Sequence, residues 1–290
     1  MDDMHQHTGD HGTRHGRPDE HALHGQGDIL DRDAEVLAEI NADIVAQLPL
    51  DAPPRHIVDL GSGTGAGTFA LLDRFPEARV TAVDSSVEHL RRLREKACGR
   101  GVDARVSTVQ ADLDDASWPR LDTPDLVWAS AALHHVAEPA RALRRVHDVL
   151  APGGLFAVVE LAGFPRFLPE DAPEDRPGLE ERCHAATASH VAERMPHRGA
   201  DWGPELTAAG FVVEDARTIP VHIEASGRAD VGGYALAGLR RLRSRVADLL
   251  PPEDLAALDR LLDVEGPHSI LGRPDLALRT ERTVWAARRP

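Results

Sequence analysis

A short apolar run that meets an acid and then a turn holding four glycines constrains this chain more than any other feature. Residues 56–72 read HIVDLGSGTGAGTFALL: an apolar stretch carrying Asp59, then Gly61, Gly63, Gly65 and Gly67, then an apolar run suited to a helix. Strand, glycine turn and helix in that order place the turn beyond the carboxyl end of a strand, where open α/β sheets bind ligands. Glycine lets the backbone bend sharply and lets a ligand approach the main chain closely.

The alternation continues along the chain. RVTAVD (79–84), ARVSTVQAD (104–112), PDLVWAS (124–130) and LFAVVEL (155–161) read as further strands, with helices at 67–75, VEHLRRLREKA and PARALRRVHDVL between them. Ser85, with Glu88 three residues on, offers a capping box. This spacing predicts βαβ units and a mainly parallel sheet. Upstream, apolar residues at helical spacing from Ile29 to Leu48 predict one helix, ended by Pro53 and Pro54. Beyond 161 the pattern changes. The chain divides into a histidine-rich tail at 1–27, a core at 28–162, an inserted helical segment at 163–203, and the end of the sheet at 204–290, interrupted by a helical lid insertion at about 225–274. The amphipathic helices of that lid present leucines as a packing face.

The net charge of −15 argues against general binding to nucleic acid phosphates or anionic membranes, while leaving room for a local basic pocket. Hydrophobic residues, 42% of the chain, suffice for a sizeable core. The two cysteines, Cys98 and Cys183, build no disulfide framework. The apolar run 155–164 is too short to span a bilayer and carries Glu160, and no basic-then-apolar leader is visible. A cytoplasmic chain is expected. His5, His7, His11, His15, His21 and His24 are irregularly spaced, with no cysteine to complete a tetrahedral site, so the tail reads as solvated and no metal site is expected. The oligomeric state stays open, a homodimer being one reading.

The acids around the glycine turn indicate the ligand's charge. Gly61-x-Gly63-x-x-Ala66 with Asp84 at the end of the second strand fits a dinucleotide fingerprint. Asp59 opposes it, because a carboxylate two residues before the turn repels a diphosphate and attracts a cation. Asp112 ends the third strand, where a side chain can meet an adenine edge. The chain also closes with a helix–strand–strand unit rather than a second nucleotide-binding half, and Tyr234 has no lysine four residues on for hydride-transfer machinery.

VDLGSGTG (58–65), VTAVDSS (80–86), QADLDD (110–115), PDLVWASAALHHV (124–136) and VLAPGGLFAVVEL (149–161) follow one another in the order and spacing of a known family. On these motifs the chain resembles the class I S-adenosylmethionine-dependent methyltransferases. The resemblance implies a Rossmann-like, doubly wound seven-stranded sheet of order 3-2-1-4-5-7-6, with strand 7 antiparallel. It implies that the backbone at Gly61, Ser62 and Gly63 packs against the methionine part of S-adenosylmethionine, and that Asp59 holds its amino group. Asp84, beside Ser85, would hold the ribose hydroxyls, Asp112 with the Leu113 backbone would face the adenine, and Ala129 and Ser130 would lie near the methionine moiety. AAGFVV and RTVWAARRP resemble the last two strands.

For the transfer itself the enzyme must hold donor and acceptor in line and exclude water, and a positioned base contributes about 10²–10⁴-fold where the acceptor must lose a proton. His134 and His135, after the fourth strand, are the candidate bases, one of the two being expected to face the acceptor; each has a bland reading as a loop-shaping histidine. Glu160 is a third candidate, against a bland reading as an acid that ties down the next loop. Arg166, Arg182, His184 and His190 of the insertion, with Trp128 and Trp202, are further candidates near the cleft. A small-molecule acceptor is expected. The Asn/Asp-Pro-Pro-Tyr motif usual after strand four in nucleic-acid amino-methylating relatives is absent, WASAALHH standing there instead. A non-catalytic member of the fold and an NAD(P)-dependent oxidoreductase are the competing readings.

Overall fold

The computed structural model describes residues 20–116, 118–226 and 230–290. Helix α1 (Glu20–Val36) begins ahead of Ile29, and Leu37 separates it from α2 (Ala38–Ala46) where one continuous helix is expected from sequence. The break has a packing reason: Leu37 is fully buried with the C-terminal helices, while Ile44 and Val45 of α2 join the core under the sheet. The histidines up to residue 19, and the side chains of His21 and His24, lie outside the described residues.

The strands are β1 (His56–Leu60), β2 (Arg79–Asp84), β3 (Val106–Gln110), β4 (Leu126–Ser130), β5 (Leu155–Leu161), β6 (Val212–Glu224) and β7 (Ala277–Arg288). They form one sheet of order β3-β2-β1-β4-β5-β7-β6. The first five are parallel, and β7 runs antiparallel between β5 and β6. The topology implied by the motifs is therefore the topology observed. Helices α3 (Ala66–Arg74), α4 (Val87–Gly99) and α5 (Pro139–Val149) are the crossovers, followed by α6 (Leu179–Arg194), α7 (Gly203–Ala208), α8 (Val231–Arg245) and α9 (Pro252–Leu262).

Side chains alternate across a strand, and the two faces of the sheet carry separate cores. Ile57, Leu126 and Trp128 pack beneath α2, α3 and α4; Val58, Leu60, Val127 and Ala129 pack against α5 and α7. A third cluster joins α1, α6, α8 and α9, through residues such as Leu37, Leu179, Cys183, Leu239 and Leu258. Of these, α1, α6 and α8 line the space beyond the carboxyl ends of the central strands, and α9 packs behind them. Among the described residues, no helix is long and apolar enough to cross a membrane.

Candidate active site

The glycine turn wraps around the end of β1 because larger residues would not fit. Gly61 has φ +67°, a left-handed conformation, and a Cβ there would lie 2.5 Å from that of Ala132. A Cβ on Gly67 would lie 2.5 Å from Trp128 Nε1 and 3.2 Å from Asp59 Oδ2. The helix can therefore start against the strand, and Thr68 Oγ1 donates to Asp59 Oδ2 at 2.6 Å. Burial pushes the Asp59 carboxyl up to about 7; the Thr68 hydrogen bonds pull it down, and the nearby Asp84 charge adds to the rise.

Asp84 is set differently. Its Oδ2 accepts from the Gly63 amide at 2.8 Å, and its Oδ1 from the Ser86 amide at 2.8 Å and faces His89 Nδ1 at 3.3 Å. Burial raises its pKa, but the hydrogen bonds from His89, Ser86 and Gly63 outweigh that and hold it below the ordinary value. Because Asp84 takes the Ser86 amide, the helix starts one residue later than expected: Ser86, not Ser85, caps α4, accepting from the His89 amide at 3.2 Å.

These groups line a cavity of about 490 Å³ that also includes Leu30, Ser62, Ser85, Asp112, Leu113, Trp128, Ser130, Ala131 and Ala132. Three buried polar atoms in its wall, Ser62 Oγ, His89 Nε2 and Trp128 Nε1, have no protein partner. Buried polar groups are nearly always hydrogen-bonded, so these orphans call for a polar ligand. The carboxyl groups of Asp33, Asp59, Asp84, Asp112 and Asp114 in the same wall, against one arginine, suit a ligand with a cationic part.

A second cavity of about 240 Å³ adjoins the first, sharing Leu30, Asp33, Ala131, His135 and Arg282. Ala131, between the two, holds an uncommon left-handed φ of +51°. The second cavity has apolar walls (Phe164, Phe167, Met195, Leu239) and four cations, Arg198, Arg241, Arg245 and Arg282. Arg198 donates to the Gly163 carbonyl at 2.8 Å and lies 3.8 Å from the Phe164 ring centroid, with its Nε unpartnered. Burial lowers its pKa to about 10, Arg282 and Arg245 adding to the fall against the Glu160 charge. Burial lowers the Arg241 pKa, and burial, Arg241 and Arg194 lower that of Arg245. Among the described residues, neither Arg241 nor Arg245 has a carboxylate partner.

Comparison with known proteins adds names to this geometry. The family model described as "Methyltransferase domain" matches residues 57–154. A trans-aconitate 2-methyltransferase of Methylobacterium nodulans is 34% identical over 257 residues, which span 83% of this chain and 92% of the relative. One from Mycolicibacterium gilvum is 35% identical over 226 residues, 74% of this chain and 80% of the relative. The chain belongs to the class I S-adenosylmethionine-dependent methyltransferases. Among solved structures, a Bacillus halodurans protein assigned as a methyltransferase superposes with a TM-score of 0.55 at 18% identity, covering 87% of this chain and 99% of that one, a likeness of fold.

This methyltransferase takes its methyl group from S-adenosylmethionine, and the acids and orphaned polar atoms of the larger cavity suit that cationic, adenosine-bearing molecule. Of the residues singled out from sequence, Asp59, Gly61, Ser62, Gly63, Asp84, Ser85, Asp112, Leu113 and Ser130 all line it. Ala129 does not. Its methyl faces the α5 side of the sheet, and the lining passes from Ser130 to Ala132 instead. Asp112 also closes its own turn, Oδ1 accepting from the Asp114 amide at 2.9 Å.

His134 and His135 sit on a single 3₁₀ turn, ring centroids 4.2 Å apart, and both line the smaller cavity where one was expected to. His135 alone of the two also lines the larger cavity, and burial, with His134 beside it, pushes its pKa down to about 4. His134 is buried with Nδ1 2.6 Å from Glu160 Oε2. Glu160 Oε1 accepts from the amides of Ala132, at 3.1 Å, and Leu133, at 2.8 Å. Both oxygens are thus engaged in holding the 131–136 loop.

His184 lines the smaller cavity, but the other insertion candidates face elsewhere. Arg182 grips Asp254 with two nitrogens, Arg166 pairs with Glu181, and neither these nor His190 line either cavity. Trp202 is buried under the sheet, away from both cavities. Sequence reading missed Arg198, Arg241, Arg245, Arg282, Asp33 and Tyr234. The one signal in the sequence was the spacing of Arg241 and Arg245, four apart on one helix and so on one face.

Proposed function

We propose that this methyltransferase esterifies one carboxylate of a small polycarboxylic acid of the trans-aconitate class. The observation that carries the reading is the set of four arginines in the cavity beside the cofactor site, three of them without a carboxylate partner, in a chain whose net charge is −15. Arginine matches the planar carboxylate, and unneutralised cations crowded into one cavity are stabilised when an anion enters. The relatives named trans-aconitate 2-methyltransferase supply the class.

In this reading Asp84 accepts from the ribose hydroxyls, Asp59 from the donor's ammonium group, and Asp112 and the Leu113 backbone meet the adenine. When bound, the donor supplies an electrophilic methyl group: the S–CH₃ bond breaks, its electron pair staying on sulfur, as the acceptor oxygen forms the O–CH₃ bond. A carboxylic acid with a pKa of about 4 is already ionised at neutral pH, so no residue has to remove a proton. Glu160 and His134 then fix the loop between the cavities, and neutral His135 sits where donor and acceptor meet.

The 2.6 Å Glu160–His134 contact favours one alternative, a hydroxyl or amino acceptor deprotonated by the other nitrogen of His134. Radiolabelled methyl transfer to a panel of di- and tricarboxylic acids, phenols and amines separates the two. The carboxylate reading expects a product that releases methanol in alkali, and a kcat without a histidine inflection between about pH 6 and 9. An alkali-stable product from a hydroxyl or amine overturns it.

The Asp59 assignment has its own pH signature. Its carboxyl is raised to about 7 in the free protein, and an ammonium group beside it favours the ionised form. Binding below pH 7 must therefore release a proton. Affinity for S-adenosylhomocysteine, which keeps the ammonium, is expected to fall as pH drops from about 7 toward 5, by at most about tenfold per unit. Titration calorimetry in two buffers of different ionisation enthalpy reads the proton directly. A flat affinity with no proton released removes Asp59 from the ammonium.

A further inference from the structure

Arg282 differs from the other three arginines of the acceptor cavity. It stands on β7 opposite Leu161 of β5 and Ile219 of β6, it is buried, and among the described arginines it alone lines both cavities. Its Nη1 donates to Thr280 Oγ1 at 3.1 Å and to the Glu281 carbonyl at 3.3 Å, and its Nη2 lies 3.4 Å from Asp33 Oδ1. Asp33, on α1, also lines both cavities and accepts from the Tyr234 hydroxyl of α8 at 2.6 Å. Arg198, Arg241 and Arg245 line only the acceptor cavity and have no such carboxylate.

Resting on the carboxyl-methylation reading, we propose that the Arg282–Asp33 pair orients the reacting carboxylate at the junction of the two cavities and thereby selects which carboxylate of the acceptor is esterified, while Arg198, Arg241 and Arg245 hold the acceptor's other charges. Position gives half of the argument: a carboxylate on Arg282 lies on the border with the cofactor cavity, and one on Arg241 or Arg245 does not. Charge gives the other half. A bare cation beside a carboxylate stabilises its charge and lowers its basicity, which weakens its lone pairs as a nucleophile. Arg282 offers fixed N–H donors while Asp33 already offsets its charge. The carboxylate that meets the donor is oriented but not quenched, and those gripped by the bare arginines are held and less reactive.

The step balances without proton transfer. One oxygen lone pair of the carboxylate forms the new C–O bond, the C–S bond breaks with its pair to sulfur, and an anion and a sulfonium become a neutral ester and a neutral thioether. The ester no longer attracts Arg282, whose charge falls back to Asp33, which favours release.

The test uses the full chain with trans-aconitate as probe, initial rates, and product isomers separated by chromatography and assigned by NMR. Arg282→Lys keeps the charge but loses the fork: kcat is expected to fall by about tenfold or more, KM to change by less than about threefold, and the ratio of methyl-ester isomers to shift. Asp33→Asn bares the Arg282 charge, so acceptor KM and kcat are both expected to fall, a paired change that loosened packing does not produce. Melting temperature and S-adenosylhomocysteine affinity check each fold, and Asp33→Asn decides the question if Arg282→Lys fails to fold. An unchanged isomer ratio in Arg282→Lys, or a raised KM in Asp33→Asn, overturns the assignment while wild-type esterification leaves the broader reading standing. No ester from any polycarboxylic acid with the wild type removes both.

Discussion

Asp84→Asn is expected to weaken binding of S-adenosylmethionine by roughly a hundredfold while the protein stays folded. A carboxylate that accepts two ribose hydroxyls makes two charge-assisted hydrogen bonds, each about 1.5–3 kcal/mol, and a loss of about 3 kcal/mol is two decades in affinity at about 1.4 kcal/mol each. Asparagine adds a second effect. Both Asp84 oxygens accept main-chain amides, from Gly63 and Ser86, so the new NH₂ must face one donor with another and loosen the glycine turn. The site lies on the surface of a cleft rather than in the packed core, so the melting temperature is expected to drop by only a few degrees. Calorimetry with S-adenosylhomocysteine reads the affinity, and affinity within about threefold of wild type would take the ribose away from Asp84. The Asp84 pKa is held below its ordinary value, so this contribution is present at pH 7 and is lost only as the pH falls through that depressed value. A loss of affinity between about pH 7 and 5 that comes with proton release on binding is the signature expected of Asp59 instead.

The lining of the larger cavity was legible in the sequence because it is local. Strand, glycine turn and helix are contiguous in 56–72, and each acid lies at or within two residues of a strand's end. Asp84 ends β2, Asp59 is the last but one residue of β1, and Asp112 stands two residues past β3, which stops at Gln110 short of the 104–112 read from the sequence; β1, β2 and β5 span the residues read from the sequence. The misses there are single-residue matters of where a side chain points. Ser85 and Ser86 are equivalent as letters, and only the Asp84 carboxylate on the Ser86 amide decides between them. Ala129 lies one position from Ser130, and strand alternation turns it to the other face. Strand β6 runs on through Pro220 to Glu224. A proline ends a central strand but is tolerated at a sheet edge, where β6 lies. The smaller cavity, proposed for the acceptor, was not legible. Arg198 follows α6, Arg241 and Arg245 lie on α8, and Arg282 lies on β7. Apart from the four-residue spacing of Arg241 and Arg245, nothing in their local sequence distinguishes them from solvated arginines, and only the return of β7 beside β5 and the packing of α8 bring them to one cavity.

Replacing Arg241 and Arg245 together by glutamine is expected to raise the acceptor KM by roughly a hundredfold and to leave donor affinity unchanged. The two sit four residues apart on α8, on one face of the helix, and both line the acceptor cavity without touching the cofactor cavity. Each contact between an arginine and a carboxylate in a partly enclosed site is worth about 1.5 kcal/mol, so losing two costs about 3 kcal/mol, or two decades. Glutamine keeps most of the side-chain length and can still donate, so the change isolates charge. Both residues are only partly enclosed, each keeping solvent contact, and salt screens charges at such a site. The wild-type KM is therefore expected to rise with ionic strength and that of the double variant to rise much less. Stability should move the other way. Each arginine is held next to the other without a compensating anion, burial lowering both pKa values and Arg241 further lowering that of Arg245. Removing two like charges relieves the repulsion between them, so the free double variant is expected to melt no lower than wild type, and a saturating polycarboxylate to raise the melting temperature of wild type alone. Steady-state kinetics at two salt concentrations and melting curves with and without trans-aconitate read all three effects. A KM within about threefold of wild type at low salt would mean that α8 does not hold the acceptor's charge, and the anionic acceptor would lose its main support.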